Sequence, residues 1–235
     1  MSRFNKVSLI LLAMVAISLT GCGGNSSTDS ADSAGVIKEE ESQSAPSSAD
    51  GITCTETKAV GHDPKEIATP AEVLTKFPKT FTLVTNCGDI VISTVGSKAP
   101  FTMTSIAALA KGGYYDDSLC HRLTTQGLFV LQCGDPTATG SGGPQFTYPD
   151  ENLPGNTDNN YPEGSVAMAN SGPNTNGSQF FLVYADTTLA PSYTMWGTIT
   201  SGLDIVKAIA KAGAEGGAAD GKPARTIAIE KVLVN

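Results

Sequence analysis

The chain has few of the residues that most often bind transition metals or act as nucleophile-base pairs. Its 235 residues include 2 histidines, His62 and His121, and 5 cysteines, Cys22, Cys54, Cys87, Cys120 and Cys133. No Cys-x-x-Cys pair occurs and the two histidines are far apart, so the sequence offers no zinc site. Neither histidine stands in a nucleophile context, and a Ser-His-Asp triad has no support. There is no Gly-x-Ser-x-Gly elbow and no phosphate-cradling Gly-x-x-x-x-Gly-Lys loop. Lys and Arg total 15 against 23 Asp and Glu, a net charge of -8 with no basic patch, which argues against a nucleic-acid binder. No cofactor is implied by these patterns.

The cysteines are the next clue. Arg3 and Lys6 precede an apolar run at residues 7–20 that is too short to span a bilayer but has the length of a signal-peptide core. It ends Leu19-Thr20-Gly21-Cys22, which looks like a bacterial lipobox, with Cys22 as the acylated N-terminus of the mature protein. The expected organisation is a lipoprotein signal peptide at 1–21, an acidic Ser- and Gly-rich disordered tether at 22–50, an N-terminal extension at 51–79 and a folded domain at 80–235. Pro64, Pro70 and Pro78 interrupt the extension, while residues 71–77 could form one short helical turn. The expected location is the extracytoplasmic face of the cell membrane, held through the lipid alone. In that oxidising space Cys54, Cys87, Cys120 and Cys133 allow three pairings. Cys120 with Cys133 is favoured because both lie on segments that read as neighbouring antiparallel strands, leaving Cys54 with Cys87; the alternative is four buried thiols.

Periodicity outlines the elements. Residues 80–95 alternate around Asn86-Cys87-Gly88-Asp89, as in a β-hairpin. Pro100 opens a helix with its apolar stripe at Ile106, Ala107, Leu109 and Ala110, stopped by Gly112-Gly113. Short strands are expected at 121–125, 129–133, 166–169, 179–184 and 194–200, and a second helix at 203–212, ended by Gly213. The last strand, 226–234, changes its alternation between Ile229 and Val232, which predicts a bulge near Glu230 and Lys231. The whole reads as mainly antiparallel β, closed or nearly so, with two helices. The long Gly-, Asn- and Pro-rich segments at 134–164 and 172–178 are of the length that is usually functional or disordered.

The segment Met168-Ala169-Asn170-Ser171-Gly172-Pro173-Asn174-Thr175-Asn176-Gly177-Ser178-Gln179-Phe180-Phe181 resembles the signature of the cyclophilins, the peptidyl-prolyl cis-trans isomerases. Upstream, Cys120-His121-Arg122-Leu123 and Gly127-Leu128-Phe129-Val130-Leu131-Gln132-Cys133-Gly134-Asp135 look like that family's catalytic-arginine strand and the Phe-hydrophobe-x-Gln strand after it. The resemblance runs from about residue 80 to the C-terminus. It implies a closed eight-stranded antiparallel β-barrel capped by two α-helices.

The chemistry it implies needs no metal or nucleophile. An X-Pro bond turns over a barrier of ~18–20 kcal/mol because twisting destroys amide resonance. The pyramidalising nitrogen then becomes an acceptor, and a fixed guanidinium donor stabilises the twisted state more than either planar isomer. By resemblance the donor is Arg122, held by Gln132, while Phe129, Val130, Phe181, Leu189 and Tyr193 form the pocket for the proline ring. Asn170 would bind the substrate chain through its backbone, with Ala169, Ser171 and Gln179 lining the neighbouring groove. The partners implied are proline-containing unfolded or extended polypeptides, met by a monomer. A non-catalytic proline-peptide-binding module is the alternative.

Three departures from the family pattern are visible. The interval from Arg122 to Gln132 is longer by two residues, around 124–128. The run between Tyr184 and Trp196 is shorter by one and lacks the tryptophan that many members have just before Leu189. Tyr193 stands where the family has a pocket histidine. Weakened binding of cyclosporin-type inhibitors is therefore expected.

Overall fold

Alternation along the chain builds the first hairpin. In the computed structural model, which describes residues 51–235, β1 (Thr80–Thr85) buries every second residue: Phe81, Leu83 and Thr85. β2 (Gly88–Thr94) returns with Ile92 opposite Phe81 and Ile90 opposite Leu83, so the apolar residues of both strands share one face. The signal segment, Cys22 and the acidic tether lie outside the described residues.

Helix α1 (Pro100–Lys111) begins with its proline at the first turn, where no N–H is needed. A distant carboxylate caps it: Glu151 accepts the N–H groups of Phe101 (3.0 Å) and Thr102 (2.8 Å) and the Thr102 hydroxyl (2.8 Å). The expected stop is present, with Gly113 at φ 69°. Helix α2 (Leu203–Ala212) buries Ile205, Val206, Ala208 and Ile209 and ends at Gly213, φ 80°. It starts after Gly202, where φ is 83° and any Cβ would strike the Asp89 backbone, so only glycine fits.

The remaining strands are β3 (Ser118–Leu119), β4 (Arg122–Thr124), β5 (Val130–Cys133), β6 (Ser165–Met168), β7 (Phe180–Val183), β8 (Met195–Ser201), β9 (Asp220–Gly221) and β10 (Ala228–Val234). All join one antiparallel sheet in the order β3-β10-β1-β2-β8-β6-β7-β5-β4-β9. The mainly β class with two helices stands, but the closed eight-stranded barrel does not: the described residues give a curled sheet of 10 strands, open between β3 and β9. The count rises for two local reasons. Ser118–Leu119, ahead of the strand expected at 121–125, pairs with β10 as β3, and at Cys120-His121 the chain changes ladder partner to β5. The two-residue β9 then adds to the outer edge of β4. In β10, Val84 faces Lys231 and Thr85 faces Ile229, so Glu230 is the bulged residue.

Residues 71–77 make bends, not a helical turn. The N–H of Leu74 is taken by the Thr104 hydroxyl of α1 at 3.0 Å. The whole extension is a strap laid on the domain. Thr55 exchanges main-chain and side-chain hydrogen bonds with Asn86, the His62 N–H reaches Pro136 O at 2.9 Å, and Ile52, Ile67, Leu74 and Phe77 pack on the core. Disulfides join Cys54 to Cys87 and Cys120 to Cys133, the pairing favoured from the sequence.

Successive residues of β5, β6 and β7 face opposite sides of the sheet. Leu131, Cys133, Val166, Met168, Phe180 and Leu182 enter the main core. There Trp196, 1% exposed, packs edge-on against Phe81 and Phe180. Val130, Ala167, Phe181 and Val183 enter a second, smaller cluster on the other face. That outer cluster is where the site is built.

Candidate functional site

Arg122 on β4 and Gln132 on β5 are direct cross-strand partners. The register therefore delivers one side chain to the other: Arg122 Nη1 donates to Gln132 Oε1 at 3.0 Å. Gln132 Nε2 donates to Gln179 Oε1 at 2.8 Å, and Gln179 Nε2 donates to the carbonyls of Gly140 (3.0 Å) and Gly142 (2.8 Å). These contacts order the side chains by relay, so that a loop fixes Gln179, Gln179 fixes Gln132, and Gln132 supports the guanidinium.

The loop is organised by Asp135, fully buried. Its carboxylate accepts the N–H groups of Thr137 (2.8 Å), Thr139 (3.1 Å), Gly140 (2.7 Å) and Gly142 (3.0 Å). Burial alone would raise its pKa, but these bonds together with the Thr137 hydroxyl outweigh burial and lower it. The 134–164 segment, for which function or disorder were the sequence-level options, is ordered in this part by one carboxylate.

Beside Arg122 lies a cavity of about 160 Å³ walled by Leu128, Val130, Phe181, Leu189, Tyr193, Gln132, Ala169 and Asn170. Tyr193 packs on Phe181 (ring centroids 5.5 Å) and on Tyr161 (6.2 Å). The Tyr161 hydroxyl, its pKa pushed by burial up to about 12, accepts the Tyr193 N–H at 3.0 Å. Asn160 clamps Leu189 by accepting its N–H at 3.0 Å and donating to its carbonyl at 2.8 Å. Asn170 donates from its side chain to Ser192 O at 2.8 Å, and among the described residues its main-chain N–H and C=O enter no hydrogen bond. A neighbouring groove of about 340 Å³ shares Gln132, Ala169 and Asn170 and continues over Ser171, Gln179 and the 140–144 loop.

Of the residues singled out from the sequence, Arg122, Val130, Gln132, Ala169, Asn170, Phe181, Leu189 and Tyr193 meet at the cavity, and Ser171 and Gln179 line the groove. Phe129 is the correction. It lies outside the cavity wall, packs edge-on against Tyr184 at 5.9 Å and joins the main core. Phe129 and Val130 are consecutive, and in an extended strand consecutive side chains take opposite faces. The wall position two residues before Val130 belongs to Leu128, in the lengthened turn between β4 and β5.

Sequence reasoning also missed Tyr161, Asn160 and Asp220. Only the parity of the strand could have pointed to Leu128, and no local pattern marks the other three. Asp220 receives Arg122 Nε at 2.7 Å and Nη2 at 2.6 Å. The hydrogen bond to Asp220 is the main cause of a raised arginine pKa, and the same bond lowers that of Asp220. The arrangement is a positioned, always-charged donor at the rim of an apolar cavity, beside an open main-chain strip and a polar groove. Among the described residues no group of three or more His, Cys, Asp or Glu could hold a metal ion.

The comparisons agree on family. Residues 80–234, well over half of the chain, match the model for cyclophilin type peptidyl-prolyl cis-trans isomerase/CLD. The chain is 46% identical over 164 residues to a probable peptidyl-prolyl cis-trans isomerase B of Mycobacterium tuberculosis, covering 65% of this chain and 53% of that protein. The same-named protein of Mycobacterium leprae is 44% identical, covering 65% and 56%. The chain thus spans about half the length of these curated relatives. A crystal structure of a cyclophilin type peptidyl-prolyl cis-trans isomerase from Cryptosporidium parvum is similar at TM-score 0.58 and 28% identity, covering 68% of this chain and 98% of that one. The structure of that protein in the presence of the dipeptide Ala-Pro gives TM-score 0.57 and 27% identity, covering 66% and 98%. With Arg122 and Gln132 at the cavity, Gln179 and Gly177 along the adjoining groove, and residues 80–234 matching the family model, the chain belongs to the cyclophilin-type peptidyl-prolyl cis-trans isomerase family.

Proposed function

We propose that the chain is a peptidyl-prolyl cis-trans isomerase acting on proline-containing segments of unfolded or extended exported polypeptides. The proline ring enters the cavity walled by Leu128, Val130, Phe181, Leu189 and Tyr193. Asn170 pairs with the substrate backbone beside the proline, and Arg122 donates an N–H to the prolyl nitrogen as that nitrogen pyramidalises. The donor interacts more strongly with the twisted amide than with either planar isomer, which is the condition for a rate increase. The observation that carries this reading is the guanidinium braced on two sides at the mouth of an apolar cavity.

The test is two-dimensional NMR exchange on an Xaa-Pro peptide. Wild type is expected to produce cis-trans exchange peaks at catalytic concentration, and Arg122→Ala to lose them while still shifting the peptide's resonances. Peptide binding by wild type without exchange would leave a binding module instead.

We also propose that the mature protein is anchored by acylated Cys22 on the extracytoplasmic face of the membrane. What supports this is the sequence alone, the basic start, the short apolar run and Leu19-Thr20-Gly21-Cys22. Mass spectrometry of the mature N-terminus is expected to show a diacylglyceryl-modified Cys22, absent in Cys22→Ser. An unmodified N-terminus in the wild type would refute the anchor.

A further inference from the structure

Arg122 reaches Gln132 through one N–H and Asp220 through two. A guanidinium has five N–H donors in a rigid plane, so three are committed and two remain, one on Nη1 and one on Nη2. Gln132 alone makes a single contact, about which the plane could still turn. The bidentate Asp220 contact on the Nε–Nη2 edge removes that freedom.

We infer that Asp220 is a positioning residue for Arg122, fixing the plane of the guanidinium so that its two uncommitted N–H groups face the proline cavity. This rests on the isomerase reading above.

Asp220 is itself held. It lies on β9 with Thr124 of β4 as its cross-strand partner, and Ala219 beside it accepts the Thr125 N–H at 2.8 Å. Behind it, Glu215 N–H donates to Lys222 O at 2.8 Å, and the same two side chains form an ion pair at 3.1 Å. The short strand therefore brings a carboxylate from 98 residues away to the outer edge of the arginine strand. The Arg122 and Asp220 side chains are 40% and 53% exposed, and a pair so exposed adds little to folding. Its contribution is orientation. The cavity wall holds no charged side chain besides Arg122, and Asp220 is the carboxylate that meets the guanidinium at its outer edge.

The experiment measures kcat and KM by NMR exchange for wild type, Asp220→Ala, Asp220→Asn, Arg122→Ala and the double Arg122→Ala, Asp220→Ala variant, with thermal unfolding as the check on folding. Asp220→Ala is expected to lower kcat about tenfold with KM within twofold and little change in the unfolding midpoint. Asp220→Asn, which keeps one accepting oxygen, should recover part of that loss. In the Arg122→Ala background, measured at enzyme concentrations high enough to give residual exchange, Asp220→Ala should cost nothing further, because the residue it positions is gone. If Arg122→Ala is inactive while Asp220→Ala turns over like wild type, or if the two losses simply multiply, the inference fails and the isomerase reading survives. Full activity of Arg122→Ala would overturn both.

Discussion

Lysine carries the same charge as Arg122 but cannot reproduce its contacts. An ammonium has no planar fork with which to take both Asp220 oxygens and Gln132 Oε1 at once. Arg122→Lys should therefore fold normally and lose about tenfold or more in kcat/KM, each factor of ten being ~1.4 kcal/mol of transition-state stabilisation. Near-normal turnover in the exchange assay would contradict the donor role. Leu128 and Phe129 give a paired prediction, because they lie on opposite faces. Leu128→Ala should raise KM with little effect on stability, whereas Phe129→Ala should cost roughly 1–3 kcal/mol of stability and leave KM near wild type. Urea unfolding and peptide titration of both variants would show whether the faces have been assigned correctly. The motifs around Arg122 and Asn170 are legible residue by residue because they are contiguous in sequence. Resemblance to a motif does not state which face each side chain takes: it puts Phe129 in the pocket, whereas strand parity sends it to the core.

Two disulfides tie different elements together. Cys120, in the link that leads into β4 two positions before Arg122, is bonded to Cys133 of β5, next to Gln132, so this bridge ties the approach to the arginine strand to the strand that carries its support. Cys54–Cys87 joins the strap to the turn of the first hairpin. With loops of 13 and 33 residues, chain entropy assigns them about 3 and about 4 kcal/mol. Replacing either pair by serine should lower stability on that scale, but only the Cys120, Cys133 double variant should also lose turnover, several-fold, at a temperature where it is still folded. Equal turnover in the two variants would show that the bridge near Arg122 plays no part in alignment. The hairpin and both helices were legible because their apolar residues repeat at periods of 2 and 3.6. β9 was not legible, since two residues in a Gly- and Ala-rich stretch carry no period. In the strap only the short turn expected at 71–77 is absent: its prolines signal breaks, while its order comes from contacts with Asn86, Pro136 and Thr104, which local pattern cannot reveal.

For the whole molecule, His121 and Asp135 beside the site contribute to the loss of stability in acid. Burial lowers the pKa of His121 from 6.5, so as pH falls through that value the unfolded chain takes up a proton that the folded chain resists, and stability declines. Asp135, depressed in the folded state from 3.8, adds stability above that value which is lost as pH falls through its lowered folded pKa. Both act in the same direction, so the urea midpoint should fall below about pH 6.5 and more steeply below about pH 4. His121→Leu should flatten the upper part of the curve and Asp135→Asn the lower part. A midpoint independent of pH between 7 and 4 would rule out the His121 contribution.

The strap also has a mechanical consequence. Tension on the chain before Gly51 would enter the folded unit through a covalent bond at Cys54, before the remaining strap carries any of it. From Cys87 the load passes into β1 and β2, which are flanked by β10 and β8. Arg122 and Gln132 stand on β4 and β5, beyond β8, β6 and β7 in the sheet order. Such a chain is held at its first hairpin, and drag on its N-terminal side reaches the strands of the site only after crossing β10 and β3 on one side or β8, β6 and β7 on the other.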